Sequence, residues 1–149
     1  MEEGEPYRTQ AGRLDQTSPP PSGMRLRLEL FVKDMDAAID FYTKVLGFEV
    51  LREHPGDYAS LQCGDVTLGI GPITKLPEEG GYFTREIASV RRGLGAEIVL
   101  EIDEVDEWYR HVSGCGYPIF EPPQDRPWGM RDFRIVDPDG YYLRLTAKA

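Results

Sequence analysis

A chain of 149 residues is long enough for one ordinary domain or two small fused units with a buried core. Its formal charge of −9 argues against a nucleic-acid surface, which needs clustered basic side chains, and leaves room for a cationic ligand. Acidity that merely keeps the chain dissolved is the simpler alternative. Cys63 and Cys115 fit no zinc spacing and no secretory or membrane-spanning stretch stands out, so the expected setting is cytoplasmic, with reduced thiols and no membrane partner.

Residues 1–23, "MEEGEPYRTQAGRLDQTSPPPSG", lack apolar periodicity and are expected to form a flexible tail ahead of one domain over residues 24–149. From Met24, Leu26, Leu28, Leu30 and Val32 alternate with Arg27, Glu29 and Phe31, which predicts a strand with one apolar and one mixed face. Asp34 caps a predicted helix through "MDAAIDFYTKVL", with Ala38, Phe41, Tyr42, Val45 and Leu46 inward and Gly47 as its stop. Three strands follow at "FEVLRE", "YASLQC" and, after the Gly64-Asp65 turn, "VTLGIG".

After a Gly-rich and charged linker, residues 72–95, the order recurs. "EIVLEI" alternates, a helix places Val105, Trp108, Tyr109 and Val112 inward and ends near Gly114-Cys115-Gly116, and strands are expected at "YPIFE", "RDFRIVD" and "YYLRLTA". Asp36 in "KDMD" answers to Asp106 in "DEVD", so the chain reads as two βαβββ units, 24–71 and 96–147. The expected fold class is α+β, with curved sheets around a cleft. By strand parity the faces not covered by helices carry Arg27, Glu29 and Phe31; Thr67 and Gly69; Glu97, Val99 and Glu101; Asp132 and Arg134; and Tyr142 and Arg144.

On "VKDMDAAIDFYTKVLGFEV", "GDYASLQCGDVTLGIG", "EIDEVDEWY" and above all "DRPWGMRDFRIVDPDGYYLRL", the chain resembles the vicinal oxygen chelate superfamily of glyoxalases, extradiol dioxygenases and bleomycin-resistance proteins. The last stretch is similar to the bleomycin-resistance branch. The resemblance implies a homodimer, with possible exchange of strands between chains. In the enzymes it implies one divalent metal, held by side chains from the first and last strands of each unit, whose open positions chelate substrate oxygens. The matching positions here are Arg27, Leu68 or Gly69, Glu97 and Arg144. A guanidinium stays protonated and has no lone pair to give, so only Glu97 is a possible ligand and no metal is expected. His54, after a strand, and His111, on the second helix, read as surface residues.

The resemblance thus points to ion pairs in place of the metal, with Arg27 and Arg144 close to Glu97 and Glu29 and with Gly69 leaving room for a long side chain. Arg144 holding an anionic ligand group is the competing account. Trp128, among Pro, Gly and charges, has no core pattern; in proteins the chain resembles, this loop stacks a flat heteroaromatic group, whereas a lid packed on the second helix is the structural alternative. Phe31, Tyr142 and Val99 are candidate apolar walls, and Glu29, Glu97, Glu101 and Asp132 candidate partners of a cation, with Arg134 beside them. Tyr58, Tyr82 and Phe83 are weaker candidates, and Trp108 is assigned to the core.

No nucleophile stands beside a base in any motif, and "GIGP" is too short for a dinucleotide loop. The expectation is a binding protein without cofactor or catalytic residues that sequesters an aromatic, cationic natural product or antibiotic. The alternative is a metal-dependent lyase, isomerase or dioxygenase whose ligands have moved to Glu29, Glu97, Glu101 or Asp132.

Overall fold

The computed structural model describes residues 18–21 and 23–149, so most of the expected tail lies outside the described residues. Among the described residues eight strands form two four-stranded sheets. The first runs β1 (Arg27–Val32), β4 (Val66–Pro72), β3 (Tyr58–Cys63) and β2 (Glu49–His54) in spatial order. The second runs β5 (Ile98–Glu101), β8 (Tyr142–Lys148), β7 (Met130–Val136) and β6 (Glu121–Asp125). In each sheet the first strand is parallel to the last and the remaining pairs are antiparallel. This is the expected α+β architecture of repeated βαβββ units.

Helix α1 (Met35–Asp40) starts where the Asp34 carboxylate accepts the Ala37 N–H at 3.0 Å. An α-helix is expected through Leu46, but Phe41–Val45 is wound as a π-helix. The Thr43 hydroxyl donates to the Ile39 carbonyl at 2.7 Å, competing for an acceptor of the regular ladder, and the Leu46 N–H reaches back to the Phe41 carbonyl at 3.2 Å. Phe41, Tyr42, Val45 and Leu46 are all buried, and Gly47, at φ 76°, ends the element.

Helix α2 (Val105–Gly114) buries Val105 and Val112 against β7 and β8, whereas Trp108 and Tyr109 stay half-buried. Trp108 therefore departs from its expected place in the core. The strand expected at "YPIFE" also moves: β6 begins at Glu121 and runs through Pro122 and Pro123, with its register shifted between Glu121 and Gln124. An edge strand accepts prolines because half of its N–H groups need no partner; the Phe120 N–H already donates to the Arg134 carbonyl at 2.9 Å, and the register slips where Pro122 and Pro123 follow. Between the units, two short 3₁₀ turns (Ile73–Lys75 and Arg85–Ser89) organise the linker.

One hydrophobic core joins both units. Leu30, Val32, Leu61, Leu68 and Ile70 cover the inner face of the first sheet, and Phe133, Ile135, Leu143 and Leu145 that of the second. Polar contacts pin the units together: the Tyr42 hydroxyl donates to Asp137 at 2.8 Å, the Tyr141 hydroxyl to the Phe31 carbonyl at 3.0 Å, and the Lys33 N–H to Asp139 at 2.8 Å. Arg92 of the linker forms a buried ion pair with Asp139. With the apolar residues of β1, β3, β4, β7 and β8 facing the core, the alternate residues are left on the other sheet faces, where the candidate site residues stand.

Candidate ligand-binding site

On β1, Arg27 and Glu29 are two residues apart and share a face, and Arg27 Nε lies 2.6 Å from Glu29 Oε1. Arg27 also donates to the Tyr58 hydroxyl, which in turn donates to Glu29 at 3.1 Å, and its Nη2 stands 3.4 Å from Ser60 Oγ. The bond to Glu29, followed by that to Tyr58, holds the Arg27 guanidinium above its ordinary pKa. Gly69 faces Glu29 across the parallel β1–β4 register, and a Cβ there would run into the Glu29 carboxylate and the Tyr58 hydroxyl. The space left by Gly69 is therefore filled by Glu29. Further along, Phe31 meets Phe83 of the linker with ring centroids 4.7 Å apart.

The second sheet carries a larger network. Asp132 is completely buried, at 0% exposure, between Arg126 Nη2 at 2.8 Å and Arg134 Nε at 3.2 Å. Burial pushes the Asp132 carboxyl upward, but the hydrogen bonds from Arg126 and Arg134 outweigh it and leave the pKa below the usual aspartate value. Glu121 accepts from Arg126 at 2.7 Å, and Arg134 Nη1 donates to the Tyr142 hydroxyl at 3.1 Å. That tyrosine contact, ahead of the bond to Asp132, raises Arg134 further. Beside them Arg144 Nε sits 2.8 Å from Glu97 Oε1, in a register where Val99 is opposite Arg144.

Each arginine thus pairs with an acid of its own sheet. Among the described residues no hydrogen bond or ion pair joins the Arg27–Glu29 cluster to the Arg144–Glu97 pair within the chain. The side chains are reached locally, by i,i+2 spacing on β1 and by neighbouring strands in the second sheet, so each acid is satisfied before the opposite unit is met.

Trp128 sits at the third position of a turn closed by the Gly129 N–H on the Arg126 carbonyl at 3.1 Å. Pro127 favours the second position, and Gly129 takes the φ of 84° that returns the chain into β7. The indole is 58% exposed. Phe120, 62% exposed, packs edge-on against Tyr142 with centroids 5.5 Å apart. Phe120, Arg126 and Glu121 escaped the sequence reading because the shifted start of β6 hid their parity. Val99 and Glu101 are exposed on the edge strand β5, where they line a groove at the junction of the units. His111 is exposed, with Nε2 3.0 Å from the Val45 carbonyl, and His54 is exposed on β2.

The family's divalent metal does not fit these residues. Arg27 and Arg144 offer no lone pair, Glu97 is bound to Arg144, and among the described residues no group of three or more His, Cys, Asp or Glu side chains is gathered to hold a metal ion. Nor is any described helix long and apolar enough to cross a membrane.

Over residues 25–145 the chain matches the family model described as the glyoxalase/bleomycin resistance protein/dioxygenase superfamily. It is 28% identical over 120 residues to a bleomycin resistance protein of Klebsiella pneumoniae, covering 76% of this chain and 83% of the relative. It is also 28% identical over 127 residues to a probable lactoylglutathione lyase of Vibrio cholerae, covering 80% and 87%. A crystal structure of a bleomycin-binding protein complexed with bleomycin superposes with a TM-score of 0.60 at 24% identity, covering 85% of this chain and 99% of that one. With the match spanning nearly all of both βαβββ units, the chain belongs to the glyoxalase/bleomycin resistance protein/dioxygenase superfamily.

Proposed function

We propose that residues 24–149 act as one domain that binds and sequesters an aromatic, cationic natural product of antibiotic type without a metal. The observation that carries this reading is the pairing of Arg27 with Glu29 and of Arg144 with Glu97, which puts protonated guanidiniums at the positions where the superfamily's enzymes hold metal ligands. The exposed ring of Trp128 in the β6–β7 turn supplies a flat surface for stacking, Phe120 against Tyr142 supplies a second at the other end of that hairpin, and Phe31 with Phe83 supplies another on the first sheet. Because Glu29, Glu97 and Asp132 are already neutralised, a cationic ligand draws on Glu101 and on the overall charge of −9. Assembly as a cytoplasmic homodimer, each cleft being completed by the second chain, is part of the proposal.

Titrating the Trp108→Phe protein, in which Trp128 is the remaining tryptophan, with bleomycin and a panel of cationic aromatic antibiotics in EDTA tests this. Saturable change in fluorescence is expected with at least one, together with a loss of about tenfold or more in affinity, measured by calorimetry, in Trp128→Ala. No response to any of them, or undiminished affinity in Trp128→Ala, overturns the reading.

The second reading, a metal-dependent lyase or related enzyme, is favoured by the likeness to the probable lactoylglutathione lyase. It requires Glu29, Glu97 or Asp132 to leave its arginine, or Glu101 to recruit ligands from elsewhere, before a hard cation is held.

A further inference from the structure

A separate pair of cavities lies where the end of the first helix and the β3–β4 hairpin meet β5 and α2. Their volumes are about 680 and 550 Å³, within the range that accepts drug-sized molecules, and Trp108 lines both. The indole is held in place: it stands edge-on to His111 with ring centroids 5.8 Å apart, and its far edge approaches Gly47, where a Cβ would come within 3.7 Å. Phe48 and Leu145, both buried, make an apolar floor under the second cavity.

Acidic side chains dominate both rims, with His111 beside those of the first cavity. Asp65 and Glu101 border one cavity and Asp103, Glu104 and Glu107 the other, and neither lining contains Lys or Arg. None of these carboxylates has an ion-pair or side-chain hydrogen-bond partner among the described residues. Among the described residues these carboxylates do not gather in threes as a metal cage does, and an aromatic wall with an apolar floor suits an organic ligand better than a hydrated ion.

We infer that this junction is a second binding site, for a planar organic cation whose ring lies against Trp108 and whose positive group meets the Asp65–Glu107 rim. An indole face attracts a cation in addition to burying its apolar body, and unpaired carboxylates around a low-dielectric wall reinforce the selection of charge. This site goes beyond the proposed cleft: Glu101 borders both, but neither Trp128 nor the arginine pairs belong to it.

The test uses the Trp128→Phe protein, in which Trp108 is the remaining tryptophan, and two dyes with one ring system: proflavine, cationic at neutral pH, and acridine, which is neutral there. Saturable quenching of Trp108 by proflavine is expected, with acridine binding about tenfold or more weakly. Adding Asp65→Asn and Glu107→Gln, exposed changes that should leave the melting temperature in place, is expected to weaken proflavine by about tenfold while sparing acridine. Equal binding of the two dyes, insensitivity to the Asn and Gln changes, or absence of saturation overturns the inference. The cleft is read independently through Trp128 in Trp108→Phe, so the failure of one site is distinguishable from the failure of the other.

Discussion

The outer faces of the two sheets and the junction between the units treat carboxylates in opposite ways. On the sheet faces Glu29, Glu97, Glu121 and Asp132 are each held by an arginine. At the junction Asp65, Glu101, Asp103, Glu104 and Glu107 have no such partner among the described residues. A net charge of −9 is therefore a poor guide to where a cation would bind, because the acids nearest the family's ligand positions are already neutralised. Local pairing decides what a charged surface can recruit, and total charge only sets the background.

The largest effect on this contrast is expected from Asp132→Asn. It leaves Arg126 and Arg134 without the buried anion that both approach, a loss of about 3 kcal/mol in unfolding free energy by urea titration. A value within about 0.5 kcal/mol of the parent would mean that the network is solvated and not structural.

Acid pH sharpens the comparison through two buried aspartates. Asp132 has a lowered pKa, so its contribution is present above the unfolded value, near 4, and is lost as pH falls through its folded value. Asp137 behaves oppositely. Burial raises its pKa, only partly offset by the Tyr141 N–H and the Tyr42 hydroxyl, so the folded state binds its proton more readily than the unfolded chain. Thermal melts across this range should show the parent losing its advantage over Asp132→Asn on acidification. The same melts should show it gaining relative to Asp137→Asn as pH drops from neutrality through the raised Asp137 pKa; parallel curves for all three proteins would refute the assignment.

The smallest stability change is expected at Gly69. The atoms a Cβ would meet are the ends of Glu29 and Tyr58, which can swing away, so Gly69→Ala should alter unfolding free energy by no more than about 1 kcal/mol. It should nevertheless break the Arg27–Glu29–Tyr58 cluster, visible as changed chemical shifts of the Arg27 guanidinium, whereas an undisturbed spectrum would show that Gly69 does not shape the site.

Much of this arrangement was legible in the sequence, for identifiable reasons. Alternation in β1 and β8 fixes which side of a strand Arg27, Glu29, Tyr142 and Arg144 occupy, and glycine at 69 announces room beside them. The pairing of each arginine within its own sheet was not legible, since strand parity gives a side and no distance. Phe120 and Arg126 were hidden by Pro122 and Pro123, where the β6 register slips and breaks the period-two count. Trp108 has the helical spacing of a core residue, and only the placement of α2 against Gly47 and the β3–β4 hairpin leaves its indole at an open cavity.

Whether arginine replaces the metal is tested most directly by the metal content of the purified protein. After incubation with nickel, zinc, manganese and iron(II) and removal of the excess, elemental analysis is predicted to find metal far below one ion per chain, unchanged in Glu97→Gln. Near-stoichiometric metal that disappears in Glu97→Gln would contradict it and restore the enzymatic reading.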